Sequence, residues 1–255
     1  MLKITGFIVQ DLLRNWIVFL YMLFLLILSF GFFMLEGQAD KALLGLLSLS
    51  LLVVPMITIV FSTIYYYNMY EFIVLILAQP LKRKTILASI YFGLCIAFGT
   101  AVIVGLGLPL LIMNGSPAAI MLLAVNLLLT LIFIALALMA GIVTRDKAKG
   151  MGLSLLFWVY FALIFDGLVL MMMYNFSDYP IEKIVLYITL LNPVDLGRIL
   201  VLMQTHAAAL MGYSGAVFNQ FFTQTWGIVL AFAVLWLWGV LPVLFAFRMF
   251  QKKDL

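Results

Sequence analysis

The side chains of this sequence that could do chemistry are few and fall in two stretches. Asp166, in Phe165-Asp166-Gly167, is an acid set inside a long apolar run. A carboxylate in such a run is costly unless it is paired, protonated or wet, so it marks a transport path or a partner contact. The alternative is a position close enough to the outer interface to stay hydrated. Downstream, Asn192-Pro193-Val194-Asp195-Leu196-Gly197-Arg198 brings a second acid and a guanidinium. Arg198, or a second copy of the chain, is the candidate partner of Asp166. Met171, Met203 and Met211 lie on either side of His206, and thioether with imidazole suits Cu(I) or a sulfur species delivered with it. Methionine is also common filler in apolar helices, and no M-x-M or M-x-x-M pair faces a second, so no metal site is assigned. The other stretch runs from Glu71 through Gln79-Pro80 to Lys82-Arg83-Lys84: an apolar segment stopped by proline and a basic cluster.

Several kinds of catalysis are excluded. Gly212-Tyr213-Ser214-Gly215 has the form of an intramembrane serine protease motif, but the lone histidine, His206, precedes it in the same polar loop. Such a nucleophile needs a base and a place in a spanning helix. Gly105-Leu106-Gly107 leads into Leu-Pro-Leu and is no nucleotide fingerprint, and no P-loop pattern occurs. The chain is therefore not expected to be an enzyme or to carry a cofactor. Cys95 is the single cysteine, so no intrachain disulfide can form.

The elements that must position these residues are membrane helices. The chain is 67% hydrophobic and 9% charged, against about a quarter charged in soluble domains. We expect one all-α polytopic domain over residues 1–255, with a short amphipathic helix in the interface from Met1 to Asn15. Six spans are expected at about 16–35, 42–64, 86–113, 118–143, 151–174 and 226–247, the first an uncleaved span rather than a signal peptide. Residues 68–85 form a connection on one side and 175–225 a long loop on the other, with short helices expected at Pro180–Leu191 and Asp195–Met203. The glycines Gly93, Gly99, Gly105 and Gly107 with Pro109 predict close packing and a kink in the third span. Eleven Lys and Arg fall in the connections of one side and three (Lys41, Lys183, Arg198) in those of the other. The basic side is expected to be cytoplasmic, with both termini inside. The sorting of charge by loop speaks against nucleic acid as a partner.

The Glu71–Lys84 stretch resembles the second cytoplasmic connection of type-2 ABC exporter permeases, where an apolar helix precedes a Ser/Gln-Pro-x-x-Arg element. A plain re-entrant hairpin stopped by positive charge would read the same way. The Phe-Asp of the fifth span and the Asn-Pro-x-Asp-x-x-Arg of the outer loop resemble permeases of nitrous oxide reductase maturation systems. The resemblance spans most of the chain. It departs where relatives carry acids before the connection and this chain has Tyr66, Tyr67, Asn68 and Met69. It implies an inner (plasma) membrane permease in which Glu71, Gln79, Pro80, Lys82, Arg83 and Lys84 couple to two ATPase subunits that bind ATP and Mg. It further implies a second copy of the chain, and Asp166, Asn192, Pro193, Asp195 and Arg198 in a transport path or docking site for an extracytoplasmic protein. An exporter of lipid, polysaccharide or drug would carry similar marks. An ATP-independent secondary transporter is the further alternative, though neither internal repeats nor midplane charges beyond Asp166 favour it.

Overall fold

A computed structural model of the chain describes residues 2–77, 82–144, 146–176, 182–205 and 225–252. Among them every regular element is helical. The amphipathic α1 (Leu2–Arg14) turns at Asn15 into α2 (Trp16–Leu35), and Asn15 Oδ1 caps α2 by accepting from Ile17 N at 2.9 Å. Next come α3 (Ala39–Asn68), the short α4 (Tyr70–Leu77), and α5 (Arg83–Val102), which runs on through a π turn (Ile103–Gly107) into α6 (Leu108–Met113). A tight turn with Gly115 at φ +61° leads to α7 (Pro117–Val143). There Ser116 caps the helix from its Oγ to Ala119 N at 3.2 Å, and Pro117 occupies the first turn, where no N–H is needed. Helix α8 (Lys147–Val159), a second π turn (Tyr160–Ile164) and α9 (Phe165–Asn175) form one continuous rod. Two loop helices, α10 (Glu182–Thr189) and α11 (Pro193–Leu202), precede α12 (Thr225–Lys252).

Six helices are long and apolar enough to cross a membrane: Trp16–Leu35, Ala39–Asn68, Arg83–Met113, Pro117–Val143, Lys147–Asn175 and Trp226–Lys252. The chain is an all-α polytopic membrane protein. Helix α7 is the hub, packed by α3, α5, α8, α11 and α12. Its central stretch is 67% buried, against 17% for the Lys147–Asn175 rod, which therefore lines the periphery. Pairs of small and large residues let helices close up. A Cβ on Gly105 would meet Leu25 Cβ at 2.6 Å and the Met22 carbonyl at 2.9 Å, so α2 and the first π turn touch backbone to backbone. Gly93 does the same for α1 through Ile8, whereas the position of Gly99 faces open space. Pro55 in α3 offers no N–H to the carbonyl one turn earlier, and at the same turn the Trp158 indole donates to the Leu52 carbonyl at 3.0 Å.

Helix lengths set the levels. At about 1.5 Å per residue, nine residues back from Leu25 on α2 reaches Trp16, and nine back from Gly105 reaches Ile96. The α1–α2 elbow thus lies level with Ile96, and residues 83–95 of α5 extend about 20 Å beyond it. The 30 residues of α3 span about 45 Å, more than a hydrocarbon core of about 30 Å. Its Asn68 end overhangs on the same side, and α4 bridges toward α5 there.

Candidate functional site

The first candidate site lies where α9 meets the outer loop. Asn192 caps α11: its Oδ1 accepts from Val194 N at 3.0 Å, and Pro193 takes the first helical position. The helix therefore starts at Pro193, two residues before the expected Asp195. The Asn-Pro pair is a capping signal that reading by apolar periodicity passed over. The Asn192 Nδ2 has two acceptors, the Phe161 carbonyl at 2.8 Å and Asp195 Oδ2 at 2.8 Å. Phe161 lies in the second π turn, where Phe165 N–H bonds back to the Tyr160 carbonyl rather than to the one four residues before it. That altered ladder lets a loop side chain plug into the span. The Phe161 ring is held edge-on by Phe133 of α7 (6.4 Å) and Trp238 of α12 (5.2 Å).

Directly after the π turn, Asp166 Oδ2 accepts from Arg198 Nη1 at 2.6 Å, and the same nitrogen reaches Asp195 Oδ1 at 3.2 Å. Of the two partners considered for Asp166, the chain's own Arg198 is the one in contact. Asp195 is 8% exposed, while Asp166 and Arg198 keep about a third of their side chains open. Two carboxyls thus share one guanidinium. Burial, then a hydrogen bond to Asp166 and its negative charge, push Asp195 up to about 8, with Arg198 and Asn192 opposing. A proton resides on Asp195 at neutral pH, which leaves the trio electrically balanced. What the arrangement does chemically is latch the outer loop onto a spanning helix by a charge-assisted, pH-sensitive clasp.

Helix α11 below the clasp is buried against α7, with Val125 Cγ1 2.5 Å from where a Cβ on Gly197 would stand. Leu196, Leu200 and Val201 are buried too, so this helix caps the bundle, while α10 leaves Ile184 and Tyr187 open. Met171 is on the exposed face of α9 and Met203 is partly buried at the end of α11. His206 and Met211 lie outside the described residues, as does Gly212-Tyr213-Ser214-Gly215. Among the described residues no group of three or more His, Cys, Asp or Glu gathers.

The second candidate site is at the opposite end. Glu71 opens α4 and is exposed, while Ile73 and Ile76 are buried. Phe72 stacks on Phe7 of α1 with ring centroids 5.5 Å apart. Lys82 caps α5, Arg83 Nη1 donates to the Gln251 carbonyl of α12 at 3.3 Å, and Lys84 is exposed. Gln79 and Pro80 lie outside the described residues. The Tyr65-Tyr66-Tyr67 run, which sequence reasoning treated as a junction, is built into this end. Tyr65 donates to Asp11 Oδ2 at 3.1 Å. Tyr67 Oη pairs with Thr144 Oγ1 at 2.5 Å, and Tyr66 packs on Gly141. Lys147 Nζ donates to Asn68 Oδ1 at 3.0 Å. The positions where the resemblance departs from an acidic cluster are therefore joined to the α7–α8 connection.

Fold and sites together define a multi-pass membrane protein whose polar contacts gather at its two ends. No family model matches the chain. Over 150 residues it is 29% identical to a protein of Pseudomonas aeruginosa described as probable ABC transporter permease protein NosY. The match takes in 55% of this chain and 54% of that protein, so the chain spans about half the length of the curated relative it matches. The resemblance to ABC permeases seen in the motifs thus has a counterpart in direct comparison, and six apolar helices with that similarity mark a multi-pass inner-membrane protein.

Proposed function

We propose that this chain is the permease subunit of an ATP-driven ABC exporter, paired with a second copy and with two separate ATPase subunits. The observation that carries the reading is the 29% identity over 150 residues to a probable ABC permease, and the six apolar helices agree with it. The excess of Lys and Arg in alternate connections orients the bundle with both termini in the cytoplasm. The overhanging ends of α3 and α5, joined through residues 68–85, then reach toward the ATPases. ATP-driven closure pushes on Glu71 to Lys84, and Phe72–Phe7 and Tyr65–Asp11 carry the displacement to α1 and the elbow of α2. At the outer end the Asp166–Arg198–Asp195 clasp holds the loop helices as the bundle changes shape. The motif order resembles the maturation permeases for a copper enzyme. The proposed task is therefore to move a sulfur or copper species, or to transmit force to an extracytoplasmic partner held at the outer loop.

The test is purification of the tagged chain from its native membrane in mild detergent, with mass spectrometry of what accompanies it. A stoichiometric P-loop ATPase is expected, with a repeat-rich extracytoplasmic protein if maturation is the task. Recovery of the chain alone, across detergents and crosslinkers, would replace this reading with a self-sufficient transporter.

A further inference from the structure

The outward face of α1 forms a groove with α5 that the transporter reading leaves unused. Val9 and Leu13 of α1 and Ile96 of α5 line a cleft of about 560 Å³, and Gln10 and Arg14 stand along it. That volume falls within the usual range for small-molecule sites. The cleft is open because Gly6 contributes no side chain: a Cβ there would meet nothing within 4 Å. Leu13 and Arg14 are exposed, and among the described residues Arg14 is in neither ion pair. Asp11, the nearest acid in sequence, already accepts the Tyr65 hydroxyl.

Depth identifies the surroundings. Arg14 adjoins the elbow, level with Ile96, and Trp16 beside it is 68% exposed. An exposed tryptophan next to a cation at the end of a span marks the headgroup level. Beyond Ile96 the exposed residues of α5 and α6 are apolar (Ile103, Leu108, Leu111, Ile112). The cleft thus runs from an uncompensated cation at headgroup depth along apolar walls.

We propose that this groove is a binding site for one anionic phospholipid, its phosphate on Arg14 and an acyl chain along Val9, Leu13 and Ile96. The charge complementarity selects an anionic headgroup over a zwitterionic one. Gln10 supplies a neutral hydrogen-bonding group beside it. Because α1 also stacks on α4 through Phe7 and Phe72, a lipid wedged here braces the helix that touches the Glu71–Lys84 connection. The site stands on α1 and α5 alone and does not depend on the exporter reading.

The experiment is native mass spectrometry of the purified full-length chain, alone or with whatever it copurifies with. The protein is delipidated and titrated with dioleoylphosphatidylglycerol or dioleoylphosphatidylcholine in mixed micelles. One phosphatidylglycerol per chain is expected to be retained in preference to phosphatidylcholine. Arg14→Gln is expected to weaken retention about fivefold, the worth of one basic residue at a lipid surface. Arg14→Lys should stay within about twofold of the original. Gly6→Leu fills the cleft without touching a neighbour or changing a charge, and is expected to lose phosphatidylglycerol while eluting and folding as before. Equal retention of the two lipids, or undiminished phosphatidylglycerol in either Arg14→Gln or Gly6→Leu, would overturn the assignment. So would a crosslink from a cysteine at position 6 to a second copy of the chain or to a copurifying protein, since the groove would then be an interface.

Discussion

Replacing Asp195 with Asn tests the outer clasp by its pH dependence. Asp195 is held up to about 8 by burial and by Asp166, against about 3.9 in an unfolded chain. A carboxyl with a raised folded value binds more protons folded than unfolded between those limits. Its stabilising share is complete below about pH 4 and is lost as pH rises through about 8. The limiting slope for one proton is about 1.4 kcal/mol per pH unit. Water reaches Asp166 and Arg198, whose side chains are 31% and 35% exposed. We therefore take half that slope, which gives about 2 kcal/mol between about pH 5 and pH 8. For a chain of this size that is a fall of about 4–8 °C in melting temperature. Asn at 195 keeps an acceptor for Asn192 or Arg198, turns a fixed donor toward Asp166, and has no proton to lose. The assay is thermal unfolding in detergent, followed by tryptophan fluorescence in matched buffers, with the variant subtracted from the original so that other titrating groups cancel. The original is expected to lose stability toward pH 8 and Asp195→Asn to lose about 2 kcal/mol less. Parallel pH profiles for the two proteins would refute the shared-proton account of the clasp.

Other outcomes follow from the packing. Converting Lys82, Arg83 and Lys84 to Glu is expected to abolish stimulation of the partner ATPase, and normal stimulation by a correctly inserted triple variant would remove these residues from the coupling role. Gly105→Leu drives a side chain into Leu25 Cβ and the Met22 carbonyl; a loss of about 1–3 kcal/mol is expected in thermal or denaturant unfolding. Tyr67→Phe removes the hydroxyl that pairs with Thr144 and should cost about 1 kcal/mol. Hydrogen exchange should rise around residues 144–150 in that variant. Asn192→Ala frees the Phe161 carbonyl and uncaps α11, so faster limited proteolysis of the outer loop is expected with the six spans intact.

The spanning helices were readable because a bilayer demands about 20 apolar residues per crossing, a requirement that composition satisfies segment by segment. Gly93 and Gly105 likewise announced close approach, and both meet neighbouring side chains. What periodicity does not carry is the hydrogen-bonded detail. The start of α11 was misplaced because Asp195 looked like a first-turn acid, whereas Asn192 caps the helix and Asp195 turns inward. The tyrosines at 65–67 were passed over because an aromatic run at a helix end suits the interface generally, and nothing local says that Thr144 and Asp11 wait opposite. The pairing of Asp166 with Arg198 spans 32 residues, and sequence offered two partners without means to choose. Neither π turn leaves a distinctive residue pattern, so the widened backbone beside Phe161 and Asp166 was not visible either.

The second π turn bears on how this sequence should be compared with others. A π turn is in effect a single extra residue accommodated inside a helix. Deleting one residue from Tyr160–Ile164 would restore the α-helical register and swing everything after it by about 100°. Asp166 would then leave Arg198 and face the surrounding acyl chains. A chain with the same length of apolar run but without the inserted residue would carry its acid on a different meridian of the helix. Alignments of this region should therefore open a one-residue gap there, and the angular position of the acid, rather than its presence in the span, is the property by which members with and without the clasp divide.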